Sequence, residues 1–213
     1  MASDLGKPSW HLDDAAAIAA ANPFTFYKPS SEAIALLRAG NLVKLIFAFE
    51  SNDPQAPRAE RMWVRIERIE ADRYVGRLDN EPRYIEDLKC GDAVKFEARH
   101  VIQTDIDDPL PDPTEPYRRR CFVSHRVLYD GARVGYLYRE SPESENDSGW
   151  RMTAGDESDE YINDADNLSF VSLGAVLRED ASIIGLLETP APCAFVRRDV
   201  GRGFEAVDPP EPE

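Results

Sequence analysis

Cysteine is scarce in this 213-residue sequence. Cys90, Cys121 and Cys193 make an odd number, with no C-x-x-C spacing. A secreted disulfide framework is even and denser, so a reducing, cytoplasmic compartment and thiols without a chemical role are expected. Histidine is equally sparse, and His11, His100 and His125 lie far apart with no cysteine or carboxylate at metal-ligand spacing. The H-E-x-x-H, G-x-S-x-G, Walker A and G-x-G-x-x-G patterns are all absent. No catalytic residue, metal or cofactor is therefore expected, although a cysteine–histidine pair brought together only in space stays open. No apolar run approaches the roughly 18–20 residues of a membrane helix. The alanine-rich run Ala15 to Ala21 follows Asp13 and Asp14 rather than basic residues, so no targeting segment is read and the chain is expected to be soluble.

Positive charge is also short: 25 Lys and Arg face 40 Asp and Glu, for a net charge of −15. Nucleic acid and anionic membrane both need basic surface, so neither is expected as a partner. The excess suits solubility, and equally a basic protein partner. It is unevenly placed. Met1 to Thr104 holds 14 bases and 16 acids, Asp105 to Pro116 five acids and no base, and Tyr117 to Glu213 11 bases and 19 acids.

The middle stretch, 105–116, carries four prolines among its five acids and reads as an extended acidic linker. It separates an N-terminal domain, 1–104, from a C-terminal domain, 117–207, and the proline-rich tail 208–213 reads as disordered. No internal repeat relates the halves. The fold class is α+β: two small domains, each a curled, mostly antiparallel sheet with short helices.

In the first half, helices are expected over Asp13 to Ala21 and after Ser30-Ser31 up to Gly40. Strands follow at Leu42 to Glu50, Arg61 to Ile69, Tyr74 to Leu78 and Ala93 to Ile102. In the second of these Met62, Val64 and Ile66 share one face. In the second half, strands are read at Cys121 to Ser124, Val134 to Arg139, Trp150 to Thr153, Ala194 to Arg197 and Phe204 to Val207. Helices are read at Leu173 to Arg178 and Ile183 to Leu187. After Ser124 a short helix and a hairpin both fit.

Between Glu140 and Asp166 ten acids surround a single base, Arg151. A calcium loop starting at Asp156 fails, because Tyr161 and Asn167 stand where glycine and a bidentate glutamate are needed. Paired carboxylates for glycoside chemistry have only this clustering behind them. Two readings remain: a solvated acidic loop, or a binding surface in which Trp, Tyr and Arg interleave with acids. The candidate partner-binding residues on the second reading are Arg139, Trp150, Arg151, Asp156, Glu157, Asp159, Glu160, Tyr161 and Asn163.

The runs Val134-Gly-Tyr-Leu-Tyr-Arg-Glu140, Asp147-Ser-Gly-Trp-Arg151 and Ala154-Gly-Asp-Glu-Ser-Asp-Glu-Tyr-Ile-Asn163 resemble the immunity-protein-thirty-three family of bacteria, over about Cys121 to Val207. Members often have an aromatic where this chain has Met152 or Thr153. The first half is similar to the domain of unknown function twenty-three-fourteen family. The carriers are Leu42-Val-Lys-Leu-Ile-Phe47, Glu60-Arg-Met-Trp-Val64, Gly76-Arg-Leu-Asp-Asn80 and Gly91-Asp92. The second resemblance implies no activity. The first implies neutralisation of a toxin and no catalytic residue. A non-catalytic module binding a basic toxin or other protein is thus the leading expectation. A small-ligand-binding or regulatory housekeeping protein is the alternative, and an unrecognised hydrolase using His125 or Cys121 a third.

Overall fold

The computed structural model describes residues 8–51, 53, 55–71, 73–198 and 203–210. The chain divides into two compact units, Met1–Asp112 and Pro113–Glu213. Both are α+β, mostly antiparallel sheet with short helices, as the sequence pattern predicts.

The first unit runs β1 (Trp10–Leu12), α1 (Ala15–Ala21), α2 (Ser31–Leu36), β2 (Leu42–Phe49), β3 (Ala59–Glu70), β4 (Arg73–Leu78), β5 (Ala93–Glu97) and β6 (Val101–Thr104). Each helix starts where a side-chain oxygen takes up a free amide. Asp14 accepts from the Ala17 N–H at 3.0 Å and Ser30 from the Ala33 N–H at 3.0 Å. The sheet order is β1-β2-β3-β4-β5, with β6 also paired to β2. Every pairing is antiparallel. Val43, Leu45 and Phe47 of β2 meet Met62, Val64 and Ile66 of β3 and Val94 and Phe96 of β5 in the core.

The strand expected over Ala93 to Ile102 is broken. His100 Nδ1 accepts the Glu97 N–H at 3.0 Å, and a 3-10 turn, Ala98–His100, follows β5. The break moves the chain from the β4 edge to the β2 edge. Three residues reach only about 10 Å, so the two edges must curl close together and the sheet is nearly a barrel.

The segment read as a linker begins by holding to the first unit. The Asp105 N–H donates to the Leu42 carbonyl at 3.0 Å. Asp108 Oδ2 accepts from the Tyr27 hydroxyl at 2.8 Å and the Ser30 N–H at 2.7 Å, while Oδ1 accepts from the Ser30 hydroxyl at 2.6 Å. Burial works against ionisation of Asp108, but these donors win and hold the carboxyl well below the usual range.

The second unit runs β7 (Arg120–Ser124), α3 (His125–Leu128), β8 (Tyr136–Arg139), β9 (Asp147–Thr153), α4 (Asp159–Ile162), β10 (Leu168–Ser172), α5 (Leu173–Glu179), β11 (Cys193–Arg197) and β12 (Phe204–Val207). Its sheet order is β10-β7-β9-β8-β11-β12, antiparallel except for β7 beside β9. Cys121, Val123, Leu137, Trp150 and Met152 are buried, as are Val127 of α3, Leu173, Val176 and Leu177 of α5, and Ile183. All seven residues of β9 are buried, which marks it as the centre of the unit. Leu168–Ser172 was not expected as a strand and forms an edge. The helix read at Ile183 to Leu187 is a 3-10 turn, Ala181–Leu186. The described part of the tail, 208–210, is exposed and irregular, and 211–213 lie outside the described residues.

Candidate partner-binding face

The acidic segment hangs from the end of β9 on a backbone crossing. At Gly155 φ is +87°, and a Cβ there would lie 3.1 Å from the Gly135 carbonyl carbon. A Cβ on Gly135 would fall 1.9 Å from the Ala154 carbonyl oxygen. Only glycine fits either place, which accounts for the paired glycines in Val134-Gly-Tyr and Ala154-Gly-Asp.

Glu157 then folds back and clasps the loop. Its Oε1 accepts from the Ser124 hydroxyl at 2.7 Å and the Ala154 N–H at 2.7 Å, and its Oε2 accepts from the Gly155 N–H at 2.7 Å. Partial burial raises its pKa, but these bonds outweigh that and the net shift is downward. The Ser124 hydroxyl is consumed here, so it makes no bond to the helix it precedes. Asp156 is tied to α3 through Arg126 at 2.5 Å.

Beyond the clasp, Ser158 caps α4 by accepting from the Tyr161 N–H at 3.3 Å. Asp159 and Glu160 occupy the first turn, where the free amides favour negative charge. Tyr161 is half-buried, and its carbonyl accepts from Asn167 Nδ2 at 3.1 Å. Asn163 closes the helix, exposed, with its N–H on the Asp159 carbonyl at 3.0 Å. Asp164 caps the next turn by accepting from the Asp166 N–H at 3.0 Å. Asp159, Glu160 and Asp166 are exposed, and no cation among the described residues pairs with them. At the end of α3, Tyr129 is 70% exposed and sits edge-on to His125, whose Nε2 is 2.9 Å from the Ser169 hydroxyl.

Three of the expected contact residues are elsewhere. Trp150 is fully buried, with its indole N–H on the Leu187 carbonyl at 3.2 Å. Arg151 is 8% exposed. It grips Asp147 through two parallel bonds of 3.0 Å, takes Glu140 at 2.7 Å and lies over the Phe122 ring at 4.9 Å. Placing these two in a contact surface is corrected: they lie on opposite faces of a strand that is buried along its whole length, and the Gly-Trp-Arg motif is a core motif. Half-buried Arg139 donates to the Ser148, Leu187 and Thr189 carbonyls and stands apart from the acidic loop. Glu157 is spent on the clasp. What remains as a surface is Asp156, Asp159, Glu160 and Asn163, with Tyr161 partly exposed.

Asp147 answers Arg151 with a carboxyl brought down to about 2. Burial opposes ionisation, and the Arg151 guanidinium with the Glu143 and Gly149 N–H groups overcomes it. Burial pushes the Cys121 thiol up to about 12, which removes it as a nucleophile at neutral pH. Among the described residues, no group of three or more His, Cys, Asp or Glu is placed to hold a metal ion. Nor, among them, is any helix long and apolar enough to cross a membrane.

The part of the site that the sequence did not announce is α3. Ser124 and Arg126 join the acidic loop from some thirty residues away, and the only local signal was a serine ahead of a short apolar turn. Comparison with curated proteins and with solved structures gives no match. The two halves do match family models. Residues 14–105 match the family described as an uncharacterized protein conserved in bacteria (DUF2314), and residues 121–207, β7 through β12 with the acidic loop inside, match the Immunity protein Imm33 domain.

Proposed function

We propose that the second unit is a non-catalytic binding module that neutralises a toxin, and that it docks through the face formed by α3 and residues 156–166. The immunity-protein description of the matching domain supports the role. The observation that carries the surface is the exposed set Asp159, Glu160 and Asp166, left without cationic partners on a loop that Glu157 fixes in place. Uncompensated carboxylates on a rigid support attract a basic partner and speed its encounter, while an exposed aromatic such as Tyr129 supplies apolar contact. The partner on this reading is a basic protein, met in the cytoplasm.

The test is the product of an adjacent toxin-like reading frame, titrated with the full chain. Asp159→Ser, Glu160→Ser and Asp166→Ser together remove three exposed charges that pair with no cation among the described residues. We expect binding to weaken roughly tenfold or more and to lose most of its salt dependence, with the melting temperature lowered only by the small helix-terminus contribution of Asp159 and Glu160. Equal binding by wild type and the triple variant would rule out this face as the interface.

A second reading, a small-ligand site, draws on a groove of about 230 Å³ in the first unit. Tyr74 and Phe96, stacked at 5.1 Å, line it together with His100. A thermal-shift screen of metabolites on the full chain tests it, since a ligand that binds only the folded state raises the melting temperature.

A further inference from the structure

The second unit holds another concave feature, away from the acidic loop. A cleft of about 140 Å³ is lined by Arg119 and Arg139, with Tyr117, Leu173, Ile184 and Leu187 among its walls. Residues 117–213 carry 19 acids against 11 bases, so an arginine there is expected to find a carboxylate. Arg126, Arg151, Arg178 and Arg197 do so. Among the described residues Arg119 and Arg139 do not, nor do Arg120 and Arg133, and the first two are anchored on neutral carbonyls. Arg119 Nη2 donates to the Asp147 carbonyl, and Arg139 Nε donates to the Ser148 carbonyl at 3.1 Å. The anchors are carbonyls of neighbouring residues of β9, and both arginines line the same cleft. Arg139 Nη1 is taken up by the Leu187 and Thr189 carbonyls, which leaves Nη2. Among the described residues every fully buried side-chain nitrogen or oxygen has a partner, so Nη2 must be open to solvent. Arg119 keeps Nε and Nη1 unused. One acid, Glu188, stands in the lining and pairs with neither arginine, so the lining has one net positive charge.

We propose that this cleft is a binding site for a small carboxylate with a short apolar body. Two guanidiniums with spare donors, the half-buried Arg139 held by three carbonyls and the exposed Arg119 by one, match a planar carboxylate, and these neutral anchors do not cancel their charge. Leu173, Leu187 and the half-exposed Ile184 offer the apolar wall. The volume is that of about four to five waters, enough for a carboxylate and a few carbons and too small for a nucleotide. The Trp150 indole N–H already donates to Leu187, so Trp150 acts as a wall and a reporter rather than a donor to the ligand. The site uses none of the residues of the acidic face and stands or falls without it.

The experiment is a titration of the ¹⁵N-labelled full chain with sodium butyrate and sodium benzoate, with sodium phosphate and sodium chloride at matched ionic strength. The Trp150 indole N–H and the Arg139 Nε–H are the reporters. We expect saturable shifts with the carboxylates at millimolar concentration, and an affinity lowered about tenfold in Arg119→Gln. Ile184→Glu, which places a negative charge at the mouth, is expected to abolish the response while the rest of the spectrum keeps its dispersion. Arg133→Gln, on the exposed surface, is expected to change nothing. Shifts no different from those of chloride, or an affinity unmoved by both Arg119→Gln and Ile184→Glu, would overturn the proposal. Saturation by phosphate more tightly than by either carboxylate would overturn the ligand class.

Discussion

In the first unit Arg65 faces Asp79 at 3.1 Å, Arg77 faces Glu67 at 3.0 Å, and Arg99 bridges Asp14 and Glu97, all at the surface. In the second, the one arginine between residues 140 and 166 has been drawn inside by Asp147 and Glu140, and the exposed acids of α4 have no cationic counterpart among the described residues. The two units therefore differ less in how many acids they hold than in where the arginines went. Exposed pairs are worth about 0–1 kcal/mol each and mainly cancel the field around them. A buried bidentate pair specifies a core, and its removal from the surface leaves the neighbouring carboxylates uncompensated.

The comparison breaks most sharply at Arg151. Arg151→Ala strands the Asp147 carboxylate, whose side chain is 3% exposed, and is expected to cost about 3–5 kcal/mol in urea unfolding of the full chain. A loss under about 1 kcal/mol would put Arg151 back on the surface as a contact residue.

Acid comes next. Asp147 has its folded pKa depressed from 3.8 to about 2. A depressed carboxyl contributes stability that is fully present above its unfolded pKa and disappears as pH falls through the folded one. About 2 kcal/mol should therefore be lost from the second unit between about pH 4 and pH 2. Asp147→Asn should flatten that part of a stability-versus-pH profile, and an unchanged profile would mean that Asp147 is not held ionised. Glu157 is shifted in the same direction and adds to the loss in the same sense.

Smaller again is the clasp. Glu157→Gln places an amide NH₂ opposite either the Gly155 N–H or the two donors at Oε1, and is expected to cost about 1–2 kcal/mol. Faster hydrogen exchange at the Ala154 and Gly155 amides is the readout, and unchanged exchange would show that the loop is held by something else. At the bottom of the scale, Asp79→Ala in the first unit should change stability by less than about 1 kcal/mol, with the difference vanishing at high salt. A larger loss would show that the surface pairs of the first unit have structural weight.

Much of the fold was legible where one side chain decides its own neighbourhood. Asp14, Ser30 and Ser172 cap helices as short polar residues ahead of apolar runs do. The alternation of Met62, Val64 and Ile66 became the buried face of β3. What escaped were elements without their own pattern. β1 is three residues long and exists because β2 offers an edge. β10 reads as a mixed run, Leu-Ser-Phe-Val-Ser, and becomes a strand by pairing with β7. The continuous pattern of Ala93 to Ile102 hid a turn, because His100 bonds Glu97 where a ladder bond was expected. At the site the acidic segment was visible but its parts were not distinguishable. Asp156, Glu157 and Asp159 look alike in sequence, yet the first is paired, the second is half-buried and the third is bare.

The sequence by itself determined two α+β halves of unlike charge, joined by an acidic, proline-rich stretch, with the acids of the second half concentrated between residues 140 and 166. Composition and short-range pattern suffice for that, because charge counts and caps are local. Only the tertiary structure decided that Trp150 and Arg151 belong to the core, that Glu157 is a clasp, and that Arg119 and Arg139 line one cleft with Glu188 as its single acid. Burial and partnership depend on which strands lie side by side, and β9 acquired its neighbours β7 and β8 only when the sheet closed around it.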